Sequence, residues 1–392
     1  MKSIGIICEC NPFHGGHEYL IRRARESGAD CVVCVMSGYF VQRGEVAVAD
    51  AYTRAEILVR GGADVVLELP FPYSSASAEH FARAGVEILD RLGVGELWFG
   101  SECGDLYRLE RLAALADSDE FRARYEESVE GNMGTARAYF DCLCALSGEE
   151  IPCSANDILG IAYLRAIRAR EATLTPMTVK REGSAYAEDT IGTGFPSATA
   201  LRRKWREEGL EAILPHLPAS CAEVLVRECG DGLADLRYAE RLILGHFRLT
   251  PTAELEKCAE LSGGLGARMA GLTDRATTLD DFLAHAATKK YPNARILRGI
   301  LFALTGISQN DLRTSPAYTR LLAANRTGCR FLSEVRKTTE IPVVTRRTEL
   351  PESPDALRQE KYERRAQALY ALCRPQVSAT DSWKRAPVIL DF

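Results

Sequence analysis

Apolar residues in the first two hundred positions fall into short β-branched runs separated by amphipathic stretches. Ser3-Ile4-Gly5-Ile6-Ile7-Cys8, Cys31-Val32-Val33-Cys34-Val35-Met36, residues 64–69, Glu96-Leu97-Trp98-Phe99 and Met177-Thr178-Val179-Lys180 each have the make-up of a buried strand. Between them, helical periodicity over residues 18–26, 51–60 and 76–92 is closed by Ser27-Gly28, Gly61-Gly62 and Gly93. Strand and helix alternating with short connections predict right-handed βαβ units and a doubly wound parallel α/β sheet. Ligands of such sheets bind beyond the carboxyl ends of the strands, at the switch point. Over residues 106–148 the pattern turns helical and polar, as an inserted segment, before Ser154-Ala155-Asn156-Asp157 announces another helix. From Leu210 onward strands fade, and Gly230-Asp231-Gly232, Gly263-Gly264, Gly306 and Pro316 punctuate helical patterns. The expected organisation is an α/β domain over residues 1–205 and a mainly helical domain over 206–392.

Three loops that follow strands carry candidate chemistry, which gathers it into one crevice. In His14-Gly15-Gly16-His17 two imidazoles stand at a helix entrance. Unpaired amides and the helix dipole favour a phosphate there, and the glycines let backbone approach it. A plain capping turn uses the same residues, but the strand-turn-helix setting favours the anion. The loop from Ser37 to Glu45 mixes aromatics with Gln42, Arg43 and Glu45, beyond what a connection requires. Phe99-Gly100-Ser101-Glu102-Cys103-Gly104-Asp105 fits a turn and a ligand loop equally. After the fifth strand, Ser197, Thr199 and Arg202 place two hydroxyls at a helix start and a guanidinium one turn on, groups able to hold β- and γ-phosphates during adenylyl transfer. A Ser cap beside a solvated Arg explains that element alone; paired with the histidine turn in this chain order, the phosphate reading gains.

Composition narrows the setting. The 392 residues, 46% apolar and 26% charged, can bury a full core in two or three domains. Thirteen cysteines, odd in number and not densely spaced, fit reduced thiols and a cytoplasmic protein. Cys31 and Cys34 face opposite sides of a strand, and Cys8 and Cys10 lack a second pair at ligand spacing, so structural thiols and no protein-held metal are expected. The opening apolar run is broken by Glu9 and Asn11-Pro12, and no stretch nears about 18 apolar residues, which excludes a signal peptide and membrane insertion. A net charge of −5 argues against nucleic acid only as an average. Between His285 and Arg347 twelve Lys or Arg stand against three acids, a local +9 that leaves −14 elsewhere. Interleaved with Tyr291 and Tyr318, that stretch suits a folded RNA, although a solvated helical surface is the plainer alternative.

H-x-G-H after the first strand with S-x-T-x-x-R after the fifth resembles the nucleotidylyl-transferase superfamily. Four longer blocks narrow the resemblance: Glu9 to His17, Met36 to Glu45, Glu68-Leu69-Pro70, and Phe99 to Glu102. Together they resemble the bacterial tRNA(Met) cytidine acetate ligase family over nearly the whole chain. The resemblance implies a Rossmann-like doubly wound sheet of nucleotidylyl-transferase type followed by a helical tRNA-binding domain. It implies a ligase that activates acetate with ATP as acetyl-adenylate and passes acetyl to N4 of the wobble cytidine of elongator tRNA(Met). ATP, acetate and that tRNA are then the partners, with Mg²⁺ carried by the nucleotide and no DNA.

By the same resemblance Ile6, Ile7, Cys8, Glu9, Cys10, Asn11, Pro12, Phe13, His14, Gly15, Gly16, His17, Glu18 and Tyr19 line the ATP site, joined by Gly100, Asn156, Arg181 and Glu182. His14, His17, Ser197, Thr199 and Arg202 are the implied catalytic set. Cys10 replaces an aromatic of the family pattern and Gly15 an Asn, with both histidines kept. Residues 288–298 are similar to a basic family segment, with Pro292-Asn293-Ala294 in place of polar residues, and imply tRNA contacts at Lys289, Lys290, Tyr291, Arg295 and Arg298. Two alternatives stay open: an adenylyltransferase for a small phosphorylated cofactor precursor, which leaves the helical half unexplained, and a non-catalytic nucleotide-sensing RNA-binding protein.

Overall fold

The computed structural model describes residues 1–130, 135–151, 154–181, 196–378, 380 and 382–392. Its strands β1 (Ser3–Cys8), β2 (Cys31–Ser37), β3 (Val65–Leu69), β4 (Glu96–Ser101) and β5 (Thr175–Lys180) are those the apolar runs predict. Helices α1 (Gly15–Glu26), α2 (Ala51–Arg60) and α3 (Ala78–Arg91) connect the first four. Between β4 and β5 lie α4 (Leu106–Ala116), α5 (Asp119–Glu130), α6 (Thr135–Ser147) and α7 (Ala155–Arg170), and α8 (Ala198–Glu208) follows. The five strands run parallel in the order β5-β4-β1-β2-β3. The chain winds outward from β1 to β3 and then returns to place β4 on the other side of β1. The crevice beyond the carboxyl ends of β1 and β4 is therefore the switch point.

β2 shows why its sequence is an unbroken apolar run. Cys31, Val33 and Val35 enter one core with Val86, Ile88 and Leu89 of α3, while Val32, Cys34 and Met36 enter the other with Ile21 and Ala24 of α1. Both faces are covered along residues 31–36, where every position is apolar, and the first polar residue, Ser37, ends the strand. Cys31 and Cys34 accordingly diverge, and the cysteines among the described residues are free thiols.

The carboxyl half departs from the pattern. Besides helices such as Asn293–Thr305 and Pro354–Leu372, which enclose a core around Phe247, Phe282 and Phe302, it adds three strands to the same sheet. β6 (Thr319–Asn325) pairs antiparallel with β3, and β7 (Val343–Val344) and β8 (Val388–Leu390) pair parallel with β6. Leu321-Leu322-Ala323-Ala324 is built of strong helix formers, so its propensity points to helix until the open edge of β3 is known.

A buried arginine fixes the loops above the crevice. Arg54 of α2, 1% exposed, donates to the carbonyls of Ala49 at 3.0 Å, Glu9 at 2.6 Å and Ser37 at 2.9 Å, and also to that of Gly38. One guanidinium thus ties the ends of β1 and β2 together at the place where the predicted chemistry lies.

Candidate nucleotide site

The histidine turn caps α1 and aims its donors outward. His14 Nδ1 accepts from the Gly16 amide at 3.0 Å, and the His14 amide donates to His17 Nδ1 at 3.2 Å. With both Nδ1 atoms accepting, each neutral ring carries its proton on Nε2 and is a donor there. Burial, followed by His17, Arg181 and Arg202, holds the His14 pKa well below the usual range. Burial and then Arg181 lower that of His17 to about 3. The rings lie 4.0 Å apart between centroids, and a Cβ on Gly16 would come within 2.9 Å of His14 Cε1, so only glycine fits beneath that ring. Capping turn and donor pair are one structure, not alternatives.

Above the turn lies a cavity of about 180 Å³ at the carboxyl ends of β1, β4 and β5. Ile6, Ile7, Cys8, Glu9, His14, Gly16, His17 and Tyr19 line it, with Gly100, Asn156 and Arg181. The remaining residues expected there sit behind the wall. Cys10 is fully buried with φ 49°, Pro12 and Phe13 are buried under the turn, Gly15 opens α1, and Glu18 is exposed on α1. Asn11 accepts from the Val48 amide at 2.7 Å through Oδ1, holding the next loop. Glu182 lies outside the described residues. Arg181 has no hydrogen-bond or ion-pair partner for its guanidinium among the described residues, and its neighbours in the wall include two neutral imidazoles and Lys180. Such a wall favours a polyanion.

The S-x-T-x-x-R element lies beside this cavity, outside its wall. Ser197 Oγ accepts from the Ala200 amide at 3.1 Å as the cap of α8. Arg202 donates to the Asn11 carbonyl at 2.8 Å, to Glu45 at 2.5 Å and to Thr199 Oγ1 at 3.4 Å. It braces the histidine turn from behind, and with Thr199 it lines a separate crevice of about 310 Å³.

Comparison with known proteins agrees with this fold. The HIGH nucleotidyl transferase family profile matches residues 1–384. A tRNA(Met) cytidine acetate ligase of Syntrophotalea carbinolica is 37% identical over 96% of this chain and 95% of its own, and that of Listeria monocytogenes is 34% identical over 95% of both. The chain belongs to the tRNA(Met) cytidine acetate ligase family. Apo Thermotoga maritima TmcAL, 31% identical and covered completely in both directions, superposes with a TM-score of 0.93. The same protein bound with alpha-thio ATP gives 0.91.

For a member of this ligase family, the cavity also has a part that motifs did not reveal. Phe81, Leu159, Tyr163 and Val179 join Phe99 of the block Phe99 to Glu102 in an apolar wall, and Lys180 adds a cation. Leu159 and Tyr163 lie three and seven positions beyond Asn156, on one face of α7, so helical periodicity counted from Asn156 locates them. The predicted tRNA contacts fare differently. Tyr291 is buried and donates to the Gly263 carbonyl at 2.7 Å; Arg295 donates to the carbonyls of Glu260 at 3.0 Å and Ser262 at 2.9 Å; Arg298 donates to Glu260 Oε1 at 2.9 Å. These three clamp residues 260–263 of their own chain. Lys290 lies 5.5 Å from the Tyr291 ring centroid, while Lys289 is exposed. No helix among the described residues is long and apolar enough to cross a membrane.

Proposed function

We propose that this chain is an ATP-dependent ligase that acetylates N4 of the wobble cytidine of elongator tRNA(Met). The observation that carries the proposal is the cavity at the switch point: two imidazoles locked as Nε2 donors and Arg181, unpaired among the described residues, at one part, apolar and aromatic groups at the other. ATP has the matching halves. An acetate oxygen attacks the α-phosphorus, the bond to the bridging oxygen breaks, and its electron pair leaves with pyrophosphate. His14, His17 and Arg181 stabilise the charge that develops on the leaving group, and alignment of acetate with the phosphate supplies much of the remaining acceleration. The cytidine amine, unstacked to reach the site, then attacks the acetyl carbon. N4 forms the new bond and loses a proton, and AMP departs with the electron pair of the broken C–O bond.

Ser197 and Thr199 serve this site as the start of α8, and Arg202 by bracing the turn. Among the described residues Glu9 is the one carboxylate of the cavity wall; it accepts from the Gln42 amide at 2.8 Å, and no group of three metal-ligating side chains occurs among them. Among the described residues the wall offers no carboxylate cluster for a protein-held Mg²⁺; such an ion belongs with the phosphates. Acetate-dependent exchange of labelled pyrophosphate into ATP tests the first step, and mass spectrometry of tRNA(Met) nucleosides tests the second. Acetylcytidine formed with chain, ATP and acetate supports the reading. Exchange that is independent of acetate, with no acetylcytidine, overturns it.

A further inference from the structure

Two segments more than fifty positions apart in sequence, the loop after β4 and the first turn of α7, lock together through reciprocal carboxylates. Glu102 Oε1 accepts from Asn156 Nδ2 at 2.7 Å and from the Asn156 amide at 3.4 Å, and Oε2 accepts from the Asp157 amide at 3.0 Å. In return Asp157 Oδ1 accepts from the amides of Glu102 at 2.9 Å and Cys103 at 3.3 Å, and Ser154 Oγ donates to Asp157 Oδ2 at 2.8 Å. Glu102 so occupies the amino-terminal amides of a sixteen-residue helix, where the dipole favours an anion.

The carboxylate does more than cap. An ionised carboxylate only accepts, so the Asn156 atom facing it is the amide nitrogen, and this fixes which way the side chain is turned. Asn156 lines the cavity, and its Oδ1 has no donor among the described residues. That oxygen offers lone pairs to a ligand that must bring a hydrogen. The phosphates of ATP only accept and carry negative charge, so they are excluded as its partner. Next along the same face of α7 stand Leu159 and Tyr163, an apolar surface suited to a nucleoside.

We propose that Glu102 is a positioning residue that orients Asn156 so that its Oδ1 accepts a hydrogen bond from the nucleoside half of ATP. This rests on the reading of the cavity as the ATP site. Ribose hydroxyls and the 6-amino group of adenine share the required chemistry, and three analogues separate them: 2′-deoxy-ATP, 3′-deoxy-ATP and purine riboside triphosphate, which lacks the amino group. Equilibrium binding by calorimetry is measured for ATP and each analogue, independently of any acetate chemistry.

The parent binds one analogue about tenfold more weakly than ATP, the one missing the donor that Asn156 reads. In Glu102→Gln the new amide nitrogen faces Asn156, whose side chain turns over to accept from it and presents hydrogens to the ligand. The preference for ATP over that analogue then falls to about one or reverses, while melting temperature changes little because the glutamine still accepts from the Asp157 amide. Asn156→Asp sets like charges face to face and loses the preference. Glu102→Gln combined with Asn156→Asp restores it, because the introduced amide donates to one oxygen of the introduced carboxylate and leaves the other oxygen for the ligand. Unequal binding of ATP and an analogue that persists unchanged in Glu102→Gln refutes the positioning role and leaves a cap. Equal binding of ATP and all three analogues by the parent refutes the nucleoside contact. Failure of the parent to bind ATP refutes the site reading itself, and this proposal with it.

Discussion

Each histidine of the turn serves the backbone with one ring nitrogen and the cavity with the other, so a substitution removes two things that can be measured separately. His17→Ala deletes an acceptor at a helix start, a loss of about 1 kcal/mol of stability, and a donor toward the leaving phosphates, a loss of about a hundredfold or more in turnover. The expected result is a melting temperature only slightly lowered, with pyrophosphate exchange nearly abolished and ATP binding weakened less than turnover. A variant exchanging at parental rate removes His17 from the reaction. The turn was legible in sequence because its chemistry is local: four consecutive residues carry cap, donors and glycine. Arg202 was legible as a residue but not as a brace, since its contacts with Asn11 and Glu45 cross more than 150 positions of chain. Arg295 and Arg298 show the same limit. Composition counts a guanidinium without revealing that it is bonded within its own chain, Arg295 to the carbonyls of Glu260 and Ser262 and Arg298 to the Glu260 carboxylate.

A second residue cluster sets a pH dependence. Arg320 stands 3.8 Å from Glu68, and Tyr318 donates to Glu363 at 2.8 Å, all in the buried junction of β3, β6 and helix Pro354–Leu372. Two carboxylates face one guanidinium, and burial followed by the charge of Glu68 pushes the Glu363 pKa up to about 8. Between an unfolded carboxyl value near 4.5 and about 8 the unfolded chain releases a proton that the folded chain keeps, so this group's contribution to stability is lost as pH rises through that window. Glu363→Gln mimics the protonated form and keeps an acceptor for Tyr318. Its melting temperature should exceed the parent's by roughly 5 °C near pH 9, with the gap closing toward about pH 5. A gap independent of pH in calorimetric scans contradicts the assignment.

At the scale of elements, the five parallel strands and the helices through α8 followed from periodicity and their own turn residues; β1 to β4 are buried as their apolar runs imply, whereas β5, at the sheet edge, is half-exposed and not the buried strand its composition suggests. β6 did not follow from periodicity, since a strand of Leu and Ala is recognised only by what it pairs with. Its junction with the following helix depends on one glycine. Asn325 Oδ1 accepts from the Gly328 amide at 2.9 Å, and Asn325 Nδ2 donates to Asp64 Oδ1 at 2.9 Å. A Cβ on Gly328 would collide with the Asp64 carbonyl, which is backbone and cannot swing away. Gly328→Ala should therefore cost about 2 kcal/mol or more in denaturant unfolding and leave the affinity for ATP near parental, because the strain lies at the amino end of β3, away from the cavity. Unchanged stability would mean that helix Arg326–Val335 can lift off the sheet.

For the whole molecule, the boundary near residue 205 divides chemistry but not folding. The first half holds the cavity, yet its sheet ends at β3, and the strand covering that edge comes from residues 319–325. Without β6 the backbone groups along one side of Val65, Val66 and Leu67 have no partners, and an apolar edge with free amides pairs with other chains. The loss continues on α2, where Ile57, Leu58 and Val59 share a core with Cys221, Val224, Leu225, Leu322 and Ala323, all from beyond the boundary. Residues 1–205 expressed alone should thus be insoluble or lack a cooperative thermal transition, whereas co-expression with residues 206–392 should recover a soluble complex that binds ATP. A soluble amino-terminal fragment that melts cooperatively and binds ATP alone would show that β6 is an accessory to the sheet.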